Sequence, residues 1–221
     1  MTTYVLIHGG NISTDTWNRI SGTNEYPAGG HLGGKCWNGA AGALVGGGHQ
    51  VFAPTLKDES SSSLTEHIDD VCTLITEHDL RNIILVGHSY GGMVITGVAA
   101  KISDRICRLV YLDAALPDPG QSLYDILLMA LTASMESRPG FPEPVAPYVE
   151  KLHYDSEKID PLPKTYILCT KSDFIDVTFQ AKKKIATAKR GWTYIELASS
   201  HVPMADMPEK FYELLLDACE K

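Results

Sequence analysis

A serine hydroxyl, an imidazole and a carboxylate, far apart in a chain but carried on loops that can converge, are the parts of an acyl-transfer centre. All three occur here in telling settings. Gly87-His88-Ser89-Tyr90-Gly91 is a G-x-S-x-G pattern followed by Gly92. It comes after the apolar run Asn82-Ile83-Ile84-Leu85-Val86 and before a stretch able to form a helix, Gly92-Met93-Val94-Ile95-Thr96-Gly97-Val98. A serine on a sharp strand-to-helix turn is held in a strained conformation with its hydroxyl projecting out of the sheet. Side chains two residues to either side would crowd that turn, which suits Gly87 and Gly91. The following helix N-terminus offers a backbone N–H and the positive end of a dipole to an oxyanion. The bland alternative is an ordinary βα turn with a helix-capping serine.

A serine hydroxyl needs a base, and on such a turn the chain order is serine, then acid, then histidine. Two histidines lie downstream, His153 and His201. His153 falls inside a long insertion, whereas His201 follows the last apolar run in Ala198-Ser199-Ser200-His201-Val202-Pro203. Loops beyond the C-terminal ends of strands are where ligand-binding groups gather, so His201 is the expected base. Asp173 is the expected acid: it lies just past Tyr166-Ile167-Leu168-Cys169, on the same rim and between the other two in sequence. Asp113, ending Leu109-Val110-Tyr111-Leu112, competes with it, and Asp176 is a weaker candidate. The glycines of His8-Gly9-Gly10-Asn11 let backbone approach a bound carbonyl closely, so the N–H groups of Gly10 and Tyr90 are the expected oxyanion donors. His8 reads as bracing that turn. No G-K-[ST] follows Gly9-Gly10, and the glycines at 29–34 lack a preceding strand, so neither is a nucleotide loop. No metal and no cofactor is expected.

The elements that must position these groups are legible as alternating runs. Strands are expected at Thr3–His8, Gln50–Ala53, Asn82–Val86, Cys107–Leu112, Lys164–Cys169 and Trp192–Leu197. Most are rich in Val, Ile, Leu and Tyr with little polar alternation, as in strands covered on both faces. Helix candidates fall near 35–46, 63–78, 90–101, 177–189 and 208–219, with Ser63 and Glu66 forming a capping box. This alternation predicts an α/β fold with a mostly parallel six-stranded sheet flanked by helices and right-handed crossovers. Two regions interrupt it. Residues 21–35 form a Gly-rich loop, and 114–163, about 50 residues, reads as a lid insertion in a single domain spanning 1–221. A helix is expected in it over 123–134, where Leu127, Leu128, Met129 and Leu131 could line an apolar pocket or pack on the core, before the prolines at 139, 142, 144 and 147.

The chain has 221 residues, is 44% hydrophobic and carries a net charge of −8, which permits a large core and argues against nucleic acid as a partner. No stretch approaches the roughly 18 apolar residues of a membrane span, and Tyr4-Val5-Leu6-Ile7 is too short, and lacks the basic flank, for a signal peptide. Five cysteines without a C-x-x-C pair read as reduced thiols, so a cytoplasmic location is expected. A homodimer is left open.

The sequence resembles the α/β-hydrolases, and within them the group of plant methylesterases and hydroxynitrile lyases with their bacterial esterase relatives. The likeness covers nearly the whole chain. It rests on Tyr4-Val5-Leu6-Ile7-His8-Gly9-Gly10, Val86 to Gly92, Tyr111-Leu112-Asp113-Ala114-Ala115-Leu116-Pro117, Thr170-Lys171-Ser172-Asp173 and Ser200-His201. It implies nucleophile Ser89, acid Asp173, base His201, oxyanion donors Gly10 and Tyr90, and a sheet without the first two strands of larger relatives. Lyases of this group carry Thr and Lys where this chain has Gly9 and Val202, so hydrolysis of a small, largely apolar carboxylic ester is the expected reaction. A C–C lyase and a non-catalytic ligand binder are the alternatives.

Overall fold

Along each apolar run successive side chains point to opposite faces, and in the central runs both faces are buried. In the computed structural model, which describes residues 1–130, 144–188 and 191–218, six runs become strands. They are β1 (Thr3–Ile7), β2 (Gln50–Phe52), β3 (Ile83–His88), β4 (Ile106–Leu112), β5 (Lys164–Cys169) and β6 (Trp192–Leu197). They form one sheet in the order β2-β1-β3-β4-β5-β6, and every neighbouring pair is parallel.

The helices are α1 (Thr14–Ser21), α2 (Asn38–Gly46), α3 (Leu64–Glu77), α4 (Gly91–Ile102), α5 (Leu123–Ala130), α6 (Ala146–Val149), α7 (Ile175–Thr187), α8 (Pro203–Asp206) and α9 (Pro208–Asp217). Val5, Ile7, Ile83, Leu85, Leu109 and Tyr111 pack on one side against Ile68 and Val71 of α3, Val94 and Val98 of α4, and Val177 of α7. The intervening residues Tyr4, Leu6, Ile84, Val86, Val110 and Leu112 pack on the other side against Trp17, Leu44, Phe211 and Leu215. Burying each such side chain is worth about 1.5–3 kcal/mol, which is why the doubly apolar runs settle between two helical layers. The capping box forms: Ser63 Oγ accepts from Glu66 N–H and Glu66 Oε2 from Ser63 N–H.

Three helices are additional to those expected. Helix α1 is polar, begins on Ser13, whose Oγ accepts from Thr16 N–H at 3.1 Å, and ends on left-handed Gly22. Helices α6 and α8 have four residues each, with a proline at their start. The Gly-rich loop is tied back on α1 through Trp17 Nε1 to Glu25, Asn18 Nδ2 to the Tyr26 carbonyl and Gly29 N–H to Asp15. In the β4–β5 segment, Leu127 packs in the core while Leu128 and Met129 face solvent, so these three do not line a pocket together. Leu131, the rest of that expected helix, Pro139, Pro142 and Cys219 lie outside the described residues.

Candidate active site

The strand order decides which loops meet. The chain leaves β1 toward β2 on one side and returns to β3 on the other, so the carboxyl ends of β1 and β3 form a topological switch point. Ile7 pairs in register with Gly87, which sets Gly9-Gly10 beside Ser89. Ser89 has φ 55°, the left-handed backbone expected of an elbow and costly for a side chain bearing a Cβ. Its N–H donates to Leu112 O at 3.2 Å and its carbonyl accepts from Ala115 N–H at 3.0 Å, so β4 holds the turn from both ends. Gly87 is required by space, since a Cβ there would lie 2.6 Å from the Gly91 carbonyl oxygen.

His201 stands on the loop after β6. Its Nδ1 donates to Asp113 Oδ2 at 2.7 Å. A carboxylate only accepts, so Nδ1 carries the proton and Nε2 keeps its lone pair. Asp113 is fully buried, and its other oxygen accepts from Cys169 N–H at 2.9 Å. A carboxylate in that surrounding is tolerable only with such partners. The two histidine loops are also joined: His88 Nε2 donates to the His201 carbonyl at 2.7 Å, and the two rings lie 4.6 Å apart. Burial and the neighbouring His201 hold His88 well below the usual imidazole range, so it stays neutral.

His201 thus pairs with Asp113 and not with Asp173, the expected acid. Asp173 is exposed in the turn between β5 and α7, and the residues flanking it are the ones that meet His201. Ser172 Oγ lies 3.4 Å from His201 Nδ1, and the Phe174 ring centre is 4.8 Å from that of His201. The alternation along Ser172-Asp173-Phe174 turns the aspartate outward. Asp113 was legible as an acid embedded in an apolar stretch, Leu112-Asp113-Ala114-Ala115, all four buried. Asp176 has its side chain outside the described set. His153 is exposed in the β4–β5 segment, beside Gly120.

His8 braces its turn: Nδ1 donates to Gly9 O at 2.8 Å, and Nε2 accepts from Leu56 N–H at 3.0 Å. Burial lowers its pKa, consistent with a neutral ring that donates from one nitrogen and accepts at the other. The N–H groups of Gly10 and Tyr90 donate to no backbone or side-chain acceptor among the described residues. A Cβ on Gly9 would lie 2.5 Å from the Ser89 Cβ, so no larger residue fits there on this backbone. A cavity of about 780 Å³, lined by Thr96, Tyr111, Tyr154, Lys164, Lys184 and Trp192, lies away from Ser89. Its polar groups are already paired, Lys164 Nζ to the Ile159, Asp160 and Leu162 carbonyls and Lys184 Nζ to Leu116 O and Asp118.

A parallel six-stranded sheet with a left-handed serine on its central elbow and an aspartate–histidine pair on the next rim defines an α/β-hydrolase. The chain belongs to the alpha/beta hydrolase family, whose model matches residues 4–214. It is 31% identical over 263 aligned residues to a carbendazim hydrolyzing esterase of Nocardioides sp. (strain SG-4G), with 97% of this chain and 98% of that one covered. Among solved structures it is similar to an extracellular alpha/beta-hydrolase from a Paenibacillus species (23% identity, 99% of both chains, TM-score 0.72). Polyneuridine aldehyde esterase matches with 18% identity, 99% of both chains and a TM-score of 0.73. These structural likenesses bear on the fold.

Proposed function

We propose that this chain is a carboxylesterase-type serine hydrolase that cleaves a carboxylic ester of a small, largely apolar molecule through an acyl-enzyme. The observation that carries this reading is the 2.7 Å bond from His201 Nδ1 to the buried Asp113, which lies on the β4 end whose Leu112 and Ala115 backbone groups bond to Ser89 in its left-handed elbow. In this reading His201 Nε2 takes the proton of Ser89 Oγ as the oxygen attacks the ester carbonyl. The Gly10 and Tyr90 amides receive the oxyanion, each worth about 3–4 kcal/mol in the transition state. The imidazolium, steadied by Asp113, then protonates the departing alcohol, and water reverses the sequence. Asp113 thus takes the acid's role in place of Asp173. The name of the Nocardioides relative supports hydrolysis of an acyl derivative.

Cyanohydrin lyases of the resembling group carry a Thr at the position of Gly9, where a Cβ would come within 2.5 Å of the Ser89 Cβ on this backbone. Among the described residues no helix is long and apolar enough to cross a membrane. None of the four described cysteines forms a disulfide, and burial raises the Cys36 and Cys72 thiols to about 12 and about 11. Reduced thiols, two buried and two half-buried, support a cytoplasmic location.

The test is a serine-directed fluorophosphonate probe beside p-nitrophenyl acetate hydrolysis. Labelling and turnover by the wild type, with both lost in Ser89→Ala, are the expected results. Turnover surviving in Ser89→Ala overturns the reading.

A further inference from the structure

The two oxyanion donors are not supported by the strands that carry them alone. The loop after β2, residues 53–63, grips both. On one side His8 accepts from Leu56 N–H, and the N–H of Asn11, next to Gly10, donates to Glu59 Oε1 at 3.0 Å. Asn11 Oδ1 accepts in turn from Gly33 N–H at 3.0 Å, so the peptide beyond Gly10 is fixed through both its main chain and its side chain. On the other side the Tyr90 hydroxyl donates to His67 Nδ1 at 2.9 Å. His67 Nε2 donates back to Ser62 Oγ at 2.7 Å and the Lys57 carbonyl at 3.1 Å, both in the same loop.

The two arms meet at Tyr148 of α6. Its hydroxyl donates to Glu59 Oε2 at 2.6 Å and stands where a Cβ on Gly10 would come within 2.9 Å of it. Its ring lies 5.0 Å from that of Tyr90. Glu59 therefore spends one oxygen on the oxyanion loop and the other on the β4–β5 segment. A main-chain N–H and a phenol O–H are both donors, and an acceptor with two oxygens satisfies them together. A negative charge this near a developing oxyanion opposes it, so Glu59 can only help through the groups it holds.

For a serine hydrolase, on which reading this role rests, the geometry points to Glu59 as a positioning residue that couples the docking of α6, through Tyr148, to the aim of the Gly10 amide at the oxyanion. Glutamine can keep both contacts, its Oε1 accepting from Asn11 N–H and its Nε2–H donating to Tyr148 Oη. Leucine keeps neither.

The experiment measures kcat and KM for p-nitrophenyl acetate, the fluorophosphonate labelling rate and Tm for Glu59→Gln, Glu59→Leu, Tyr148→Phe and the Glu59→Leu/Tyr148→Phe double variant. Misplacing an oxyanion donor costs rate rather than ground-state binding, so Glu59→Leu should lose about tenfold or more in kcat and labelling rate with KM within about threefold. Glu59→Gln should stay within about threefold of wild type, and Tyr148→Phe should lose less than Glu59→Leu and add nothing to it. Wild-type kcat in Glu59→Leu overturns the coupling. So does a loss in Glu59→Gln as large as in Glu59→Leu, or full additivity of the two single effects. Should Glu59→Leu fail to fold, an unchanged kcat in Tyr148→Phe overturns it equally, and a reduced one supports it. Wild-type protein that neither hydrolyses ester nor takes up the probe instead refutes the serine-hydrolase reading, a separate result.

Discussion

Replacing Asp113 by Asn changes one atom and inverts the proton arrangement of the site. Asp113 now accepts twice, from Cys169 N–H at 2.9 Å and from His201 Nδ1–H at 2.7 Å. In Asp113→Asn the amide oxygen can keep the Cys169 bond, which turns the NH2 group toward His201. Two N–H groups cannot face each other there, so Nδ1 must give up its proton and Nε2 must carry one. An imidazole in that tautomer cannot accept from Ser89. The same substitution in a Ser-His-Asp triad costs about 10,000-fold in kcat. That is about 5.5 kcal/mol of activation free energy. The isosteric side chain leaves the packing around this fully buried position intact, so Tm should move by only a few degrees. The assay is kcat/KM for p-nitrophenyl acetate in Asp113→Asn and Asp173→Asn side by side. Asp173 is exposed, and its variant should stay within about twofold of wild type, as surface changes away from a site do. An Asp113→Asn enzyme with more than about a tenth of wild-type activity, or an Asp173→Asn enzyme more damaged than it, would refute the assignment.

Ser89→Ala and His201→Ala should each lower kcat by at least about a thousandfold, and the double variant should be no worse than either, because the two groups act as one unit. Additive losses would mean they act separately. Gly9→Ala should destabilise by about 1–3 kcal/mol, seen in thermal unfolding, because its Cβ would overlap that of Ser89 at 2.5 Å. An unchanged Tm would show that the turn has room to relax. His8, His67 and His88 all have pKa values lowered by burial. In each case the unfolded chain, titrating near 6.5, binds a proton before the folded one does. Their contribution to stability is present above about pH 6.5 and is lost as pH falls through that value toward the lowered ones. Thermal unfolding from pH 8 to pH 5 should therefore show Tm flat at the top of the range and declining below about 6.5. A Tm that rises on acidification over that interval contradicts the neutral-histidine geometry.

The layers of the fold were readable because the central strands are apolar on both faces, and the six expected runs match the six strands to within a few residues. The elbow backbone of Ser89 and the rim position of His201 follow from the glycines around one and the strand end before the other. The acid was not readable. Local sequence does not say that β4 lies beside the elbow strand β3, nor that the loop after β6 reaches back past β5 to bring His201 to Asp113. The turn after β5 offered an aspartate at a plausible spacing, but the alternation there sends Ser172 and Phe174 inward and Asp173 to solvent. Helix α1 escaped because it is only eight residues long and carries two apolar side chains, Trp17 and Ile20, too few to establish a period. The role of Glu59 was out of reach for a different reason. Its partners, Asn11 and Tyr148, lie 48 and 89 residues away in the chain.

The central claim is that ester cleavage passes through an acyl group carried on Ser89 Oγ. Rapid quenching of the enzyme during p-nitrophenyl acetate turnover, followed by peptide mass mapping, reads this directly. One acetyl group is expected on the peptide containing Ser89, present in wild type and absent from Ser89→Ala. Acetyl found only on another residue, or continued turnover by an enzyme that Ser89→Ala leaves equally acetylated, would contradict it.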